Sequence, residues 1–318
     1  MRNVTDKLWR HLGREGWSGR LISISHLADL RDEIHGSHDL GLFNEEFFEE
    51  QLNWFSFDPP EELPGAQSLI VVAVPAPQGR VVFHWQGEQI SLVLPPTYAG
   101  YRRTTGQVRD RLAAFLGGEG FKVADTRLPL KILAARGGLA DYGRNNILYH
   151  DGVGSFLQLC AYYSDLPCGE DSWQKPAMMK RCQSCTACTR ICPTSAISPD
   201  RFLLRAERCI TFHNERTCPL PGWLGSGWHD SLIGCMLCQR VCPANREVKN
   251  RIVDRARFSE EETAQLLRPD AEHPLRPETL ARWKELGLSE DFGLLMRNLS
   301  AILALRLGSD HGILQEIR

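Results

Sequence analysis

Cys182-Gln-Ser-Cys185-Thr-Ala-Cys188-Thr-Arg-Ile-Cys192-Pro193 is the stretch whose spacing decides how this chain is read. Three cysteines at intervals of three, a fourth four residues later and a proline directly after it form the C-x2-C-x2-C-x3-C-P run that ligates [4Fe–4S] cubanes. A tight loop turns three thiolates toward one cubane, and the next helical turn carries the fourth toward another. Pro193 restricts the backbone just after that ligand and removes a donor. A shorter run follows, Cys235-Met-Leu-Cys238-Gln-Arg-Val-Cys242-Pro243, and Cys209 upstream can supply its missing first ligand. By the crossed-ligand rule, Cys182, Cys185, Cys188 and Cys242 hold one cluster, and Cys192, Cys209, Cys235 and Cys238 hold the other. C-x2-C pairs also suit tetrahedral zinc, but this duplicated order with its two prolines is not a zinc-finger spacing. The small or apolar neighbours Ala187, Ile191, Ile197 and Val241 are expected to limit water access to the clusters.

Eleven cysteines in a secreted chain would suggest disulfides, but eight fall into ligand spacing here. Of the rest, Cys160 lies in the apolar run Phe156-Leu-Gln-Leu-Cys-Ala and reads as a core filler, while Cys168 and Cys218 beside prolines read as loop thiols. Thiolate ligands require a reducing compartment, so a cytoplasmic location is expected. The N-terminus shows no apolar leader, and no apolar run is long enough for a membrane span. A formal charge of −2 over 318 residues gives no global reason to bind nucleic acid.

Two adjacent cubanes make a one-electron wire, yet a wire needs only about sixty residues. The long segment ahead of it has a pattern of its own. Leu8 and Leu12, then Leu27, Leu30 and Ile34, mark two short amphipathic helices over residues 1–35, with Ser25 as cap of the second. The aromatic, glutamate-rich stretch 42–57 reads as a helix or lid. Ser68–Val74 reads as a buried central strand, Val81–Trp85 and Gln89–Leu94 as a hairpin, and Phe156–Tyr163 as a long strand. Helices are expected at 101–116 and 128–139, with a short strand at 121–124 between them. The fold class is therefore α+β. Residues 1–165 form a mixed α/β domain, 166–250 a ferredoxin-like double [4Fe–4S] domain, and 251–318 a helical segment opened by a Ser259–Glu262 capping box. The basic run from Arg240 to Arg257 reads as a solvated helix face. No dinucleotide or phosphate-loop signature appears in the front domain, so spacing alone does not name the electron acceptor.

Three stretches resemble epoxyqueuosine reductases and, more distantly, reductive dehalogenases. Tyr98-Ala-Gly-Tyr101-Arg is similar to that family's Arg-Tyr-Ala-x-Gly-x-Asp-Tyr-His segment, although the histidine of its Asp-Tyr-His triplet is absent here, where the chain reads Tyr101-Arg102-Arg103. Asp125 through Gly138-Leu-Ala-Asp-Tyr-Gly143-Arg144-Asn145 and Gly154-Ser155-Phe156 resembles the run Val-Asp-Ser-x-Pro…Gly-Leu-Gly-Trp-x-Gly-Lys-Asn…Gly-Ser-Phe. Residues 182–246 resemble its double-cluster domain. The resemblance implies a nitroreductase-like α/β domain and a base-off cobalamin held between it and the cluster domain. It also implies an iron–sulfur oxidoreductase that draws electrons from an external ferredoxin- or flavodoxin-type donor. Tyr98, Tyr101, Gly143, Asn145, Gly154, Ser155 and Phe156 match cofactor-binding positions. Asp125 is the nearest match to an acidic proton donor; the alternatives are Tyr142, whose phenol could donate a proton, and Arg144, whose guanidinium could clamp an anionic or amide group of the substrate. Full-length members continue into HEAT-like repeats that grip tRNA. With a single such helix pair here, a small or nucleoside-like substrate is expected in preference to tRNA. A ferredoxin-like carrier without corrinoid, and a dehalogenase-like enzyme on a non-nucleoside substrate, remain the alternatives.

The crossed assignment makes a prediction. Replacing Cys192→Ser should disturb the cluster of Cys209, Cys235 and Cys238 while leaving that of Cys182, Cys185 and Cys188. Paramagnetic resonance of the reduced variant, showing the loss confined to the latter, would disprove it.

Overall fold

Between Leu69 and Val74 the strand around Val71 and Val72 holds no polar residue, so both of its faces need cover. The computed structural model, which describes residues 2–224, 231–268, 275–288 and 292–307, supplies that cover from helices on either side. In chain order the elements begin α1 (Arg2–Arg14), β1 (Ser18–Ser23), α2 (Leu27–Asp39), α3 (Glu45–Gln51), β2 (Ser68–Pro75), β3 (Gln78–Trp85) and β4 (Glu88–Leu94). They continue with α4 (Tyr101–Gly118), β5 (Val123–Asp125), α5 (Leu130–Arg136), β6 (Asp141–Tyr142), β7 (Leu148–Tyr149) and β8 (Leu157–Ser164). The last are α6 (Ala187–Ile191), α7 (Ile210–Asn214), α8 (Leu237–Arg240), β9 (Ile252–Phe258), α9 (Glu260–Leu267), α10 (Pro277–Glu285) and α11 (Phe292–Arg306).

Two compact units interleave along the chain. The first comprises Met1–Ala76, Arg102–Thr186 and Ile197–Ala206; the second comprises Pro77–Tyr101, Ala187–Ala196 and Glu207–Arg318. The expected succession 1–165, 166–250 and 251–318 follows the chain, whereas these units follow strand pairing.

In the first unit an antiparallel sheet runs β1-β2-β8-β5. Successive residues of β2 point to opposite faces, as the pleat requires. Leu69, Val71 and Ala73 pack with Leu27, Leu30 and Leu133. Ile70, Val72 and Val74 pack with Leu8, Leu12, Val108 and Leu112. Cys160, opposite Val72, is buried in this second cluster, where burial pushes its thiol up to about 12. The interval expected to hold two helices also contains β1, which pairs along six residues of β2. Its cap differs accordingly. Ser23, not Ser25, turns its hydroxyl to accept from the Ser25 amide at a short 3-10 turn before α2. A six-residue strand shows its period only when its partner is known, which is why sequence periodicity passed over it.

The second unit is built on a three-stranded sheet, β4-β3-β9. The β3–β4 hairpin forms as expected, turning through Gln86 and Gly87, both with left-handed φ (51° and 77°). Its partner on the other edge is unexpected: β9 lies parallel to β3 in the stretch read as a helix face. Of its seven residues only Phe258 is buried, so no apolar alternation marked it as a strand. The capping box is present, with Ser259 N donating to Glu262 at 2.9 Å and Glu262 N to Ser259 Oγ at 3.2 Å. Helices α9, α10 and α11 bury Leu266, Trp283, Leu295, Leu299 and Ile302 with Val81, Phe83 and Leu92 of the hairpin.

Phe258 anchors β9 to this core. It is fully buried, stacks on Phe83 at 5.3 Å and tilts against Trp283 at 5.8 Å. Phe258→Ala should cost about 3–5 kcal/mol of stability, measured by chemical denaturation monitored in the second unit.

Candidate iron–sulfur centre

The first unit presents Cys182 and Cys185 at the end of a pinned strap. After β8, Ser172 N donates to Leu21 O (3.2 Å) and Gln174 N to Arg136 O (2.7 Å). His26 stacks on Trp173 at 4.2 Å, with its two ring nitrogens against Asp29 (2.7 Å) and Asp171 (2.8 Å). Tyr142 then holds the strap by backbone bonds. Its N–H donates to Ala177 O and its carbonyl accepts from Met179 N, both at 2.8 Å. Next to it Arg144 reaches the ligand loop itself, with Nη2 donating to Cys182 O at 2.6 Å and Nε to Cys185 O at 3.3 Å. A guanidinium read from sequence as a substrate clamp therefore braces the backbone of two thiolate-bearing residues.

The same loop is rigid by its own bonds. Asn145, 3 % exposed, donates to Tyr149 Oη at 3.0 Å. A side chain at Gly143 would lie 2.5 Å from Asn145 Oδ1 and 2.6 Å from the Tyr149 ring, so only glycine fits. Gly154 closes the turn with a left-handed φ of 59° and a bridge to His150, and Ser155 and Phe156 are buried behind it. Tyr142 is buried in the sheet core with the Phe202 ring edge-on at 5.0 Å. Burial, then the nearby Glu33 carboxylate, hold its phenol well above the ordinary range, with Arg136 opposing. Asp125 ends β5 as an exposed carboxylate, 3.0 Å from Arg109.

The second unit carries the remaining six motif cysteines. Cys192, Cys209, Cys235 and Cys238 come from three separated loops, and α6 packs against α8. No three His, Cys, Asp or Glu side chains among the described residues close to the distances of one bound ion. Cys192 and Cys209 nonetheless lie within electrostatic reach of each other. Burial raises the Cys209 thiol first, hydrogen bonds from the Thr211 amide and hydroxyl oppose this, and the charges of Cys192 and Glu215 add to it. Like charges gathered this way suit a cationic iron core, and the all-thiolate donor set fits a cubane. Thr194, 3 % exposed, places its hydroxyl 3.5 Å from Cys192 Sγ. Both threonines stand two residues after a ligand, in Cys-Pro-Thr and Cys-Ile-Thr. Sequence reading passed over this shared offset, although it was visible there.

A buried amide network ties these loops together. Asn214 Nδ2 donates to Gly234 O, and Gly234 N donates back to Asn214 Oδ1 at 3.0 Å. From α11, Asn298 donates to Asn214 O (2.7 Å) and Leu232 O (2.9 Å), while Arg297 donates to the carbonyls of His213, Arg216 and Cys218. The helix bearing Cys209 and the turn bearing Cys235 are thereby locked to one helix. Gly234 has a left-handed φ of 69°, and a side chain there would lie 2.6 Å from the Tyr98 ring. Tyr98 Oη donates to Glu215. The surrounding protein raises both groups, lifting the Glu215 carboxyl to about 7 and the Tyr98 phenol well above its usual value. Glu215 is nevertheless solvent-accessible. The apolar neighbours of the ligands differ in exposure in the bare chain. Ile197 is buried, but Ile191 and Val241 are 41 % and 39 % exposed.

Hydrogen bonds to a ligand sulfur favour the more negative, reduced cluster. Thr211→Val should therefore lower the reduction potential of the cluster held by Cys209, and Thr211→Ser should restore it. Spectroelectrochemical titration of the reconstituted chain reads the difference.

Comparison with known proteins agrees with this chemistry. Residues 181–245 match the family described as a 4Fe-4S double cluster binding domain, a span containing all eight motif cysteines. An epoxyqueuosine reductase of Pseudomonas aeruginosa is 34 % identical over 150 residues, 46 % of this chain and 40 % of its own. The chain thus spans about two fifths of that relative's length. The structure of epoxyqueuosine reductase from Streptococcus thermophilus superposes with a TM-score of 0.68 at 18 % identity, covering 95 % of this chain and 81 % of its own. An epoxyqueuosine reductase with an epoxyqueuosine-modified tRNA-Tyr stem loop superposes at 0.65 and 19 % identity, again over 95 % and 81 %. No helix among the described residues is long and apolar enough to cross a membrane. In sequence the chain is similar to epoxyqueuosine reductases, it shares their fold, and it carries a double [4Fe–4S] cluster domain.

Proposed function

We propose that this chain is an iron–sulfur reductase acting on a nucleoside of the epoxyqueuosine type, with electrons delivered one at a time through two [4Fe–4S] clusters. The observation that carries the reading is the bracing of the Cys182–Cys185 loop by Arg144. This residue belongs to the very Gly143-Arg144-Asn145 stretch that resembles the reductases. A free-standing electron carrier has no need of a front domain built onto its ligand loop. Reducing an epoxide to the alkene consumes two electrons and two protons and releases water. Two one-electron carriers suit that demand.

In this reading cobalamin is the group that would supply low-potential two-electron chemistry at the substrate. Gly143, Asn145, Gly154, Ser155 and Phe156 are its candidate contacts in the first unit. What these residues do within the chain is consistent with a preformed loop: the Asn145–Tyr149 bond and the left-handed Gly154 hold the backbone still. Of the candidate proton donors, Asp125 is the one whose carboxyl reaches solvent, whereas Tyr142 is buried. Arg144 acts as a positioning residue. The tRNA context of the nucleoside rests on likeness to the stem-loop complex, and the electron donor is proposed to be a ferredoxin- or flavodoxin-type protein.

Anaerobic reconstitution with iron, sulfide and cobalamin tests this. The reconstituted chain should retain corrinoid through gel filtration and remove one oxygen from epoxyqueuosine, offered as free nucleoside and within tRNA, as read by mass spectrometry. Asp125→Asn should lower turnover more than Tyr142→Phe, without loss of cluster absorbance. Reversible cluster reduction with neither corrinoid retention nor product would favour a plain electron-transfer protein.

A further inference from the structure

Two of the exposed large apolar side chains occupy the same position in the two cysteine motifs. Ile191 precedes Cys192 in Cys-Thr-Arg-Ile-Cys-Pro, and Val241 precedes Cys242 in Cys-Gln-Arg-Val-Cys-Pro. Ile191 ends α6 and Val241 directly follows α8, and these two helices pack against each other within the second unit. Each aliphatic side chain is therefore one residue from a candidate ligand thiolate, yet open to solvent.

The surroundings are basic. Residues 187–196 and 237–251 contain Arg190, Arg240, Arg246, Lys249 and Arg251 against a single carboxylate, Glu247. All six are exposed except Arg240, which is half-buried. A local excess of cations on a chain of net charge −2 is a directional field. Exposed aliphatic side chains in stretches rich in exposed cations have the composition of a protein-docking patch. RNA would also meet the charge, but these two stretches hold no aromatic side chain on which a base could stack.

We propose that the surface formed by α6, α8 and the turn after α8 docks an acidic one-electron carrier protein of the flavodoxin or ferredoxin class, with Ile191 and Val241 at the centre of contact. The inference rests on the double-cluster reading and adds the point at which electrons enter. The step is a single electron transfer. The carrier is oxidised by one electron, one cubane is reduced by one, and no bond forms or breaks. Position explains the exposure: a carrier seated on these residues comes within a side chain's length of a ligand sulfur from either cluster.

Stopped-flow bleaching of the reconstituted full chain by reduced flavodoxin tests the proposal. The wild-type rate should fall steeply with ionic strength. Ile191→Asp/Val241→Asp should slow reduction by about tenfold or more, since each introduces a carboxylate against an acidic partner. Dithionite should still reduce these variants at the wild-type rate with unchanged cluster absorbance. Because changes beside a ligand could disturb the cluster, Arg246→Glu/Lys249→Glu serves as the second variant. It should slow flavodoxin and flatten the salt dependence. Wild-type rates with flavodoxin in both double variants overturn the proposal. So does an unchanged rate combined with lost retention of a tRNA stem loop, which would assign the surface to RNA, or with lost self-association in sedimentation, which would assign it to a second copy. Failure of the wild-type chain to assemble clusters would instead remove the reading on which the inference stands.

Discussion

Thiolates from loops far apart in sequence must be held near one another although their charges repel. Cys192, Cys209 and Cys235 stand on three such loops; burial raises the Cys209 thiol first, and the charge of Cys192 adds to it. Before any iron binds, only the protein can oppose the repulsion. It does so with buried amides, joined by the guanidinium of Arg297. Asn214 exchanges two hydrogen bonds with Gly234, and Asn298 clamps both loops from a helix that is itself buried against the hairpin core. Buried amides with every bond satisfied rigidify without adding charge, which a site already rich in anions requires.

The second unit is therefore more than a cluster carrier with a tail. Helix α11 packs on Val81, Phe83 and Leu92 with one face and supplies Arg297 and Asn298 to the cysteine loops with another. The hairpin that precedes the clusters by more than eighty residues is part of their scaffold, which is why units and chain order diverge. The first unit repeats the logic with different groups. There Arg144 holds the carbonyls of Cys182 and Cys185, and a guanidinium is affordable because it meets carbonyl dipoles at the edge of the site.

Electron entry and chemistry make opposite demands on the surface near a cluster. Thr194 is buried with its hydroxyl beside the Cys192 sulfur, while Ile191 and Val241 stay exposed in stretches rich in cations. A protein partner can cover such side chains on binding, so insulation and access need not coexist in the free chain.

Much was legible in the residues themselves. The cysteine spacings announced their cubanes because ligand geometry is set over a few residues of local chain. The apolar run of β2 announced a central strand because covering both faces leaves no polar position, and Ser259 with Glu262 announced a helix start because a capping box closes within one turn. What tertiary structure alone decided involves long-range pairing. Strand β9 carries charge on both faces and becomes a strand only because β3 offers an open edge; β1 likewise depends on β2. Arg144 looked like a clamp until the loop it braces, some forty residues on, came within 2.6 Å. Composition tells what a side chain prefers, and only packing tells whether the fold leaves it a place inside.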